Sequence, residues 1–200
     1  MKDETAFVGD VHGNLTALRS LMESLEELEL ASVVLLGDYI NKGPDGPAVI
    51  EYLLRFEGAA RLIPLRGNHE SAFLDCMDTG DVRPLLRMSG APTVRAYVGG
   101  PVSADVYADL RASVPTEHVR FLAEMPAVYA SKQVVAAHKP GGADSRFRVS
   151  AHVNVGDVPR VSSTSAEVDT GCGSPNGRLT AFLWPSRRYI QVDDAGEMIT

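Results

Sequence analysis

Asp10, His12, Asp38, Asn68, His138 and His152 are oxygen and imidazole donors, each beside a stretch that reads as the end of a β-strand. Three short apolar runs stop at a glycine and then present a polar donor: Phe7-Val8-Gly9-Asp10-Val11-His12-Gly13, Leu35-Leu36-Gly37-Asp38, and Leu62-Ile63-Pro64-Leu65-Arg66-Gly67-Asn68-His69. The carboxyl ends of strands are where open α/β sheets keep their ligands. Carboxylate, amide oxygen and imidazole without thiolate suit Mn, Fe, Zn or similar borderline ions. Two such ions about 3.5–4 Å apart can clamp a phosphoryl group and turn a bridging water into hydroxide near neutral pH. The expectation is a pair of divalent ions held by these strand ends and the two later histidines, with Asp38 shared between them. The D-x-H spacing of Asp10 and His12 supports it, because side chains two apart on an extended segment share a face.

The elements that must position these groups alternate over the first half of the chain. A strand at about Ala6 to Gly9 precedes Asn14, a candidate cap for a helix with Leu15, Leu18, Leu21, Met22, Leu25 and Leu28 on one face. Ser32 to Leu36 reads as the next strand, and Pro47 suits the first turn of a helix running to about Phe56. Arg61 to Leu65 reads as a third strand, leading to the Asn68-His69 loop and a short helix through Cys76. This β-α-β-α-β order predicts a layered α/β sheet. From Asp78 to about Tyr107, Gly80, Pro84, Gly90, Pro92, Gly99, Gly100 and Pro101 weaken the pattern, and irregular or short helical cover over the site is expected. Pro115-Thr116-Glu117 reads as a helix start, and Val119, Phe121, Leu122 and Met125 give that helix its apolar face up to Pro126. Beyond it, Val128 to Ala130, Gln133 to Ala137, Arg148 to Ala151, Arg178 to Leu183 and Arg188 to Val192 read as strands, with Ser186-Arg187 a hairpin tip. A mixed or antiparallel second sheet follows, and with it an α/β fold of the αββα sandwich type: two mixed sheets flanked by helices.

Two hundred residues, 44% apolar and 22% charged, form one globular domain over 1–200. A formal net charge of −7 argues against bulk binding to nucleic acid or an anionic membrane surface. It leaves room for an anionic substrate, since bound divalent cations would be the largest local charges in a site. Cys76 and Cys172 are too few and too far apart for a disulfide framework. With no basic-then-apolar leader and no apolar stretch of about 18 residues, a soluble cytoplasmic protein is the expectation.

The three strand-end blocks, Gly9-Asp10-Val11-His12-Gly13, Gly37-Asp38 with Gly43, and Gly67-Asn68-His69-Glu70, resemble the signature blocks of calcineurin-like metallophosphoesterases. Leu65-Arg66-Gly67-Asn68-His69-Glu70 is most similar to the PPP-type branch, which includes serine/threonine phosphoprotein phosphatases and symmetrical diadenosine tetraphosphate hydrolases. Val134 to Gly142, Val168 to Gly173 and Leu179-Thr180-Ala181 resemble later segments of that branch, in the right order. The resemblance implies that Asp10 and His12 hold a first metal ion, that Asp38 bridges, and that Asn68, His138 and His152 hold the second. It implies manganese, with Fe, Zn, Ni or Mg as alternatives. It also makes His69 the general acid that protonates the leaving group.

Two departures from that pattern bear on activity. Where the family reads Gly-Asp-x-x-Asp-Arg-Gly, this chain reads Gly37-Asp38-Tyr39-Ile40-Asn41-Lys42-Gly43. Asn41 can still accept a hydrogen bond from His69 but brings no charge to stabilise its imidazolium, and Lys42 keeps a phosphate-binding charge without the bidentate fork of arginine. Only 13 residues separate His138 from His152, with Arg146 and Arg148 the nearby candidates for a further phosphate contact. The short segment predicts an open groove and favours a small phosphorylated molecule or nucleotide over a folded phosphoprotein. The reading is a metal-dependent phosphohydrolase. A phosphoprotein phosphatase or dinucleoside polyphosphate hydrolase is the alternative within the enzyme class, and a catalytically weakened phospho-ligand binding module is the alternative outside it. His118, on a helix with no motif, reads as a surface or packing residue; Cys172 reads as structural; and Arg66, Glu70 and Asp169 read as braces of turns.

Overall fold

The computed structural model describes residues 4–199, and its first half alternates strands and helices as expected. β1 (Glu4–Val8), α1 (Leu15–Glu26), β2 (Leu30–Leu35), α2 (Gly46–Leu54), β3 (Arg61–Pro64) and α3 (Asn68–Thr79) follow one another. Asn14 caps α1, its side-chain oxygen accepting from Ala17 N at 2.9 Å. Pro47 sits in the first turn of α2. α3 runs past Cys76 and stops where Gly80 turns left-handed at φ 77°.

The stretch after Asp78 is more regular than its prolines and glycines suggest. It forms α4 (Arg83–Arg87), α5 (Ala91–Val98) and α6 (Val106–Ser113), with Pro84 and Pro92 in first turns and Gly99 ending α5. These residues punctuate helices rather than prevent them. α7 (Thr116–Glu124) completes the helical part.

Strands make up the remainder: β4 (Val128–Ala130), β5 (Val134–Ala137), β6 (Phe147–Ser150), β7 (Arg160–Val161), β8 (Ser165–Glu167), β9 (Arg178–Trp184) and β10 (Tyr189–Asp193). β7 and β8 lack an apolar alternation and are not legible in the sequence. The first sheet has the order β10-β9-β1-β2-β3, parallel from β1 to β3 and antiparallel at β9 and β10. The second has the order β4-β5-β6-β8-β7 and is likewise mixed. Ser186-Arg187 turns the β9–β10 hairpin, with Arg187 at φ 59°.

Phe7, Val34 and Phe182 of the first sheet meet Val149 and Ala166 of the second in one buried cluster. Phe147 stacks on Phe182 at 5.8 Å and on Trp184 at 4.4 Å. Each large apolar side chain buried there contributes roughly 1.5–3 kcal/mol, enough in sum to hold the two sheets face to face. The opposite face of the first sheet, with Val33 and Leu35, packs with Leu18, Leu21 and Ile50 of the helices. The structure therefore has two mixed sheets flanked by helices, and among the described residues no helix follows β4. Among the described residues, no helix is long and apolar enough to cross a membrane. Parallel pairing within each sheet leaves the ends of β1, β2, β3, β5 and β6 along one rim, where the donors emerge.

Candidate metal centre

The loops on that rim are stitched together by backbone and by one buried carboxylate. Asp38 O accepts from Val11 N at 3.1 Å and His12 N at 2.8 Å, fixing the β1 loop to the β2 loop. Gly37 has φ 112°, and a Cβ there would lie 2.6 Å from Gly67 N, so only glycine fits where these two loops cross. Glu70 is fully buried and accepts from Asp38 N and Tyr39 N at 2.8 Å each, from Gly67 N at 3.0 Å and from Ile40 N at 3.4 Å. It braces the Asp38 loop as well as the Asn68-His69 loop expected for it. His12, Asp38, Asn41, Lys42 and His152 all have φ between 47° and 71°, a left-handed region that costs a non-glycine residue about 1–3 kcal/mol. Strain gathered on the donor-bearing residues marks the rim as a site rather than a set of ordinary turns.

The side chains converge. Asp38 Oδ1 is taken by His69 N at 3.1 Å, which leaves Oδ2 at the middle of the site. That oxygen lies 3.3 Å from His138 Nε2, 3.6 Å from His69 Nε2 and 4.0 Å from His12 Nε2. His138 Nδ1 donates to Leu36 O at 3.1 Å, so its Nε2 faces inward, 2.7 Å from Asn68 Oδ1 and 3.1 Å from His152 Nδ1. His12 Nδ1 likewise sits 3.3 Å from Ile40 O, turning Nε2 toward Asp10 Oδ2 at 3.5 Å. Asp10 Oδ1 lies 3.6 Å from His138 Nδ1 and accepts from His152 N at 3.4 Å.

This donor set fits divalent metal. A proton on His138 Nε2 can serve only one of Asn68 Oδ1, His152 Nδ1 and Asp38 Oδ2, whereas a cation placed among them serves all four lone pairs. Two sets of three residues have ligand atoms within 4.8 Å of one another: His12, Asp38 and His69, and Asp38, His138 and His152. Asp38 belongs to both. His69 joins the first set, where the sequence pattern places Asp10, and Asp10 lies beside both sets.

Electrostatics follow from crowding in a dry place. Burial, with the charges of Asp38 and Asp169, pushes Asp10 well above the usual carboxylate range. Burial pushes Asp38 up too, but its hydrogen bond to His138 and the charges of His138, His69 and His12 outweigh this and hold it at about 2. Burial lowers His12, and the Lys42 charge lowers it further. His69 falls to about 4 through burial, aided by the His12 and Lys42 charges and opposed by Asp38. Glu70 is pushed up to about 7 by burial and by Asp38, against the backbone N–H groups that favour its charged form.

Asn41 is fully buried; its Nδ2 is 2.8 Å from His69 Nδ1, so it donates to that ring rather than accepting from it as expected, its Oδ1 has no partner, and its N–H donates to Thr93 Oγ1 at 2.8 Å. Lys42 is exposed at the lip, its N–H on Ser89 O at 3.1 Å. The α4–α5 segment therefore backs this loop from outside the donor cluster. Arg146 and Arg148 are not brought to the rim. Arg146 lies before β6, at the opposite end of that strand from His152, and pairs with Asp144 at 2.6 Å. Arg148 points to the outer face of the second sheet, donating to Gly142 O at 3.1 Å among Ala137, Ser150 and Glu167. Short sequence separation from His138 and His152 misplaced both arginines, because a strand carries residues to its far end and alternate faces.

Other readings resolve as packing. His118 bridges Glu51 Oε2 at 3.1 Å and the Tyr97 hydroxyl at 3.0 Å, tying α7 to α2 and α5. Cys172 is buried with its thiol on Val11 O at 3.2 Å, and burial raises its pKa. Asp169 braces the turn after β8 by accepting from Gly171 N at 2.9 Å.

The family model for the calcineurin-like phosphoesterase matches residues 4–153, which is 150 of the chain's 200 residues. The chain belongs to this family. Calcineurin-like phosphoesterases use divalent metal ions, and the converging donors above are the residues of this chain suited to them. A zinc-dependent endopolyphosphatase from Saccharomyces cerevisiae is 39% identical over 72 residues, covering 35% of this chain and 22% of that protein. A symmetrical bis(5'-nucleosyl)-tetraphosphatase from Edwardsiella ictaluri is 40% identical over 68 residues, covering 33% of this chain and 23% of that one. The chain thus spans less than a quarter of these curated relatives. Among solved structures, a candidate diadenosine tetraphosphatase superposes with a TM-score of 0.67 at 20% identity, covering 96% of each chain. The cold-active protein-tyrosine phosphatase of a Shewanella species gives 0.65 at 15% identity, covering 100% of this chain and 80% of that one. At these identities the structures establish the shared fold.

Proposed function

We propose that the chain hydrolyses phosphate from a small phosphorylated molecule or nucleotide with the help of two divalent ions. The observation that carries this reading is the meeting of Asp38 Oδ2 with the inward nitrogens of His12, His69 and His138. Asp10, His12 and Asp38 would hold one ion, and Asp38, Asn68, His138 and His152 the other. Bound ions supply Lewis-acid charge to phosphoryl oxygens and lower the pKa of water.

The chain's own residues do the rest. With Asn41 Nδ2 donating to His69 Nδ1, the neutral ring carries its one proton on Nε2, which faces the site and can donate a hydrogen bond to the leaving-group oxygen. Full proton transfer requires the imidazolium, which forms only when Nδ1 also takes a proton and Asn41 turns its Oδ1 to accept it. Lys42 places a mobile positive charge at the lip, close enough to lower His12 and His69. Glu70 keeps the Asp38 backbone in its strained turn, so the carboxylate is aimed before anything binds. The names of the two curated relatives, a polyphosphatase and a dinucleoside tetraphosphatase, support small phosphoanhydrides and nucleotides as substrates, and the first supports zinc beside manganese. Cys76 and Cys172 are both free and buried, which supports a reducing, cytoplasmic setting.

The test is turnover of an aryl phosphate with Mn²⁺ or Zn²⁺, followed by a panel of a nucleoside monophosphate, a dinucleoside polyphosphate and a phosphopeptide. The expected result is the highest kcat/KM on one of the two nucleotides. Preference for the phosphopeptide would overturn the small-molecule reading, and binding without turnover would favour the binding module.

That second reading rests on the orphaned Asn41 Oδ1. Asp at this position would accept a proton from His69 Nδ1 and stabilise the imidazolium. Asn41→Asp combined with Lys42→Arg is expected to raise kcat/KM about tenfold on an alkyl phosphate, whose leaving group needs the acid, and less on an aryl phosphate. A fall on both substrates would remove His69 and Lys42 from the assigned roles.

A further inference from the structure

The end of the sandwich opposite the metal centre holds a second concave site. The turn before β5, the start of β6 and the β9–β10 hairpin meet there around a cavity of about 400 Å³, lined by Lys132, Arg146, Phe147, Thr164, Trp184 and Arg187. Pockets for small molecules run from about 300 to 1,000 Å³. Phe147 at this cleft and His152 at the metal centre are five residues apart along β6, roughly 16 Å of extended chain, so one phosphate group cannot touch both.

The charge here is opposite to that of the chain. The formal net charge is −7, yet Lys132, Arg146 and Arg187 face one cleft, and the neighbouring carboxylate, Asp144, is already bound to Arg146. Among the described residues, no ion pair engages Lys132 or Arg187. Arg187 is held by the tight hairpin and by its bond to Ser163 O at 3.2 Å, and its guanidinium lies 4.9 Å from the Phe147 ring centre and 5.4 Å from that of Trp184. A guanidinium stacked on rings keeps its N–H edge free for an oxyanion. Arg146 is spoken for by Asp144 and by Ser131 O, to which it donates at 3.1 Å, and packing accounts for Arg187 over the rings, but neither accounts for Lys132 of the other sheet opening onto the same space.

We propose that this basal cleft is a second ligand site, taking a nucleoside phosphate or a molecule of that class, with its phosphate on Lys132 and Arg187 and its planar ring against Trp184. The site is independent of the reaction proposed for the metal centre.

Trp184 is the chain's single tryptophan, so its fluorescence reads this cleft alone. Titrating the whole protein with AMP should change the emission saturably, with adenosine and inorganic phosphate each binding more weakly. Lys132 is exposed, and Lys132→Ala should weaken the AMP midpoint about tenfold or more while aryl phosphate turnover stays unchanged. Asp38→Asn should leave the AMP midpoint where it is. A non-saturating response, a midpoint unmoved by Lys132→Ala, or a signal abolished by Asp38→Asn would overturn the proposal. Stronger quenching by a single-stranded oligonucleotide than by AMP would overturn it too, by assigning the face to nucleic acid.

Discussion

Asp38→Asn is expected to lower kcat on an aryl phosphate by about 10³-fold or more, while the fold survives. Asparagine keeps an oxygen at the Oδ1 position, where His69 N donates at 3.1 Å, and Glu70 binds the backbone at residue 38 rather than its side chain. What changes is Oδ2. A neutral amine there would point its hydrogens among the inward nitrogens of His12, His69 and His138 and take away the carboxylate shared by both donor sets. Two measurements separate loss of chemistry from loss of structure. Metal bound per chain should fall, and the Tm of the metal-free variant should move by less than about 4 °C, the shift that roughly 1 kcal/mol produces in a domain of this size. Equal hydrolysis by variant and wild type would remove Asp38 from the reaction and favour the binding module.

Glu70→Ala is expected to be the most destabilising single change at the site, by about 3–5 kcal/mol, or a drop in Tm of roughly 10 °C. The carboxylate takes four backbone N–H groups, those of Gly67, Asp38, Tyr39 and Ile40, and is fully buried. Each buried donor left without an acceptor costs about 1–3 kcal/mol, partly recovered where the loop relaxes. Glu70→Gln keeps one acceptor oxygen but turns an amine toward donors, so it should fold with a smaller loss. Its informative readout is calorimetric metal affinity, expected to fall about 10–100-fold as the Asp38 turn loosens. Unchanged affinity in Glu70→Gln would show that the brace serves stability alone.

The parts of this molecule that were legible before its structure share a physical signature. An apolar run, a glycine and then a donor marks a strand end, and Asp10, Asp38 and Asn68 all carry it. Asn14 and Pro47 act within one helical turn, so local chemistry decides them. What escaped depends on distance. Glu70 braces a turn some 30 residues away, and nothing near it in sequence says so. β7 and β8 are two and three residues long with Arg160, Ser165 and Glu167 turned to the outer side, so no apolar alternation can announce them. Arg146 and Arg148 sit between two metal-site candidates in sequence, yet β6 carries one away from the rim and turns the other to the outer face.

β9 lies between β10 and β1, so the first sheet cannot be completed by the strands that precede it in the chain. A nascent chain that has reached α7 contains β1, β2 and β3 but not β9, the strand that covers the other side of β1 in the folded protein. It also lacks two of the six candidate ligands, since His138 and His152 follow β5 and β6. Contacts of such long sequence separation form slowly, and an uncovered strand edge invites pairing with another chain. During synthesis, the interval between the emergence of β3 and the docking of β9 is therefore when this protein is most open to aggregation, and the donor set that needs His138 and His152 can be completed only within it.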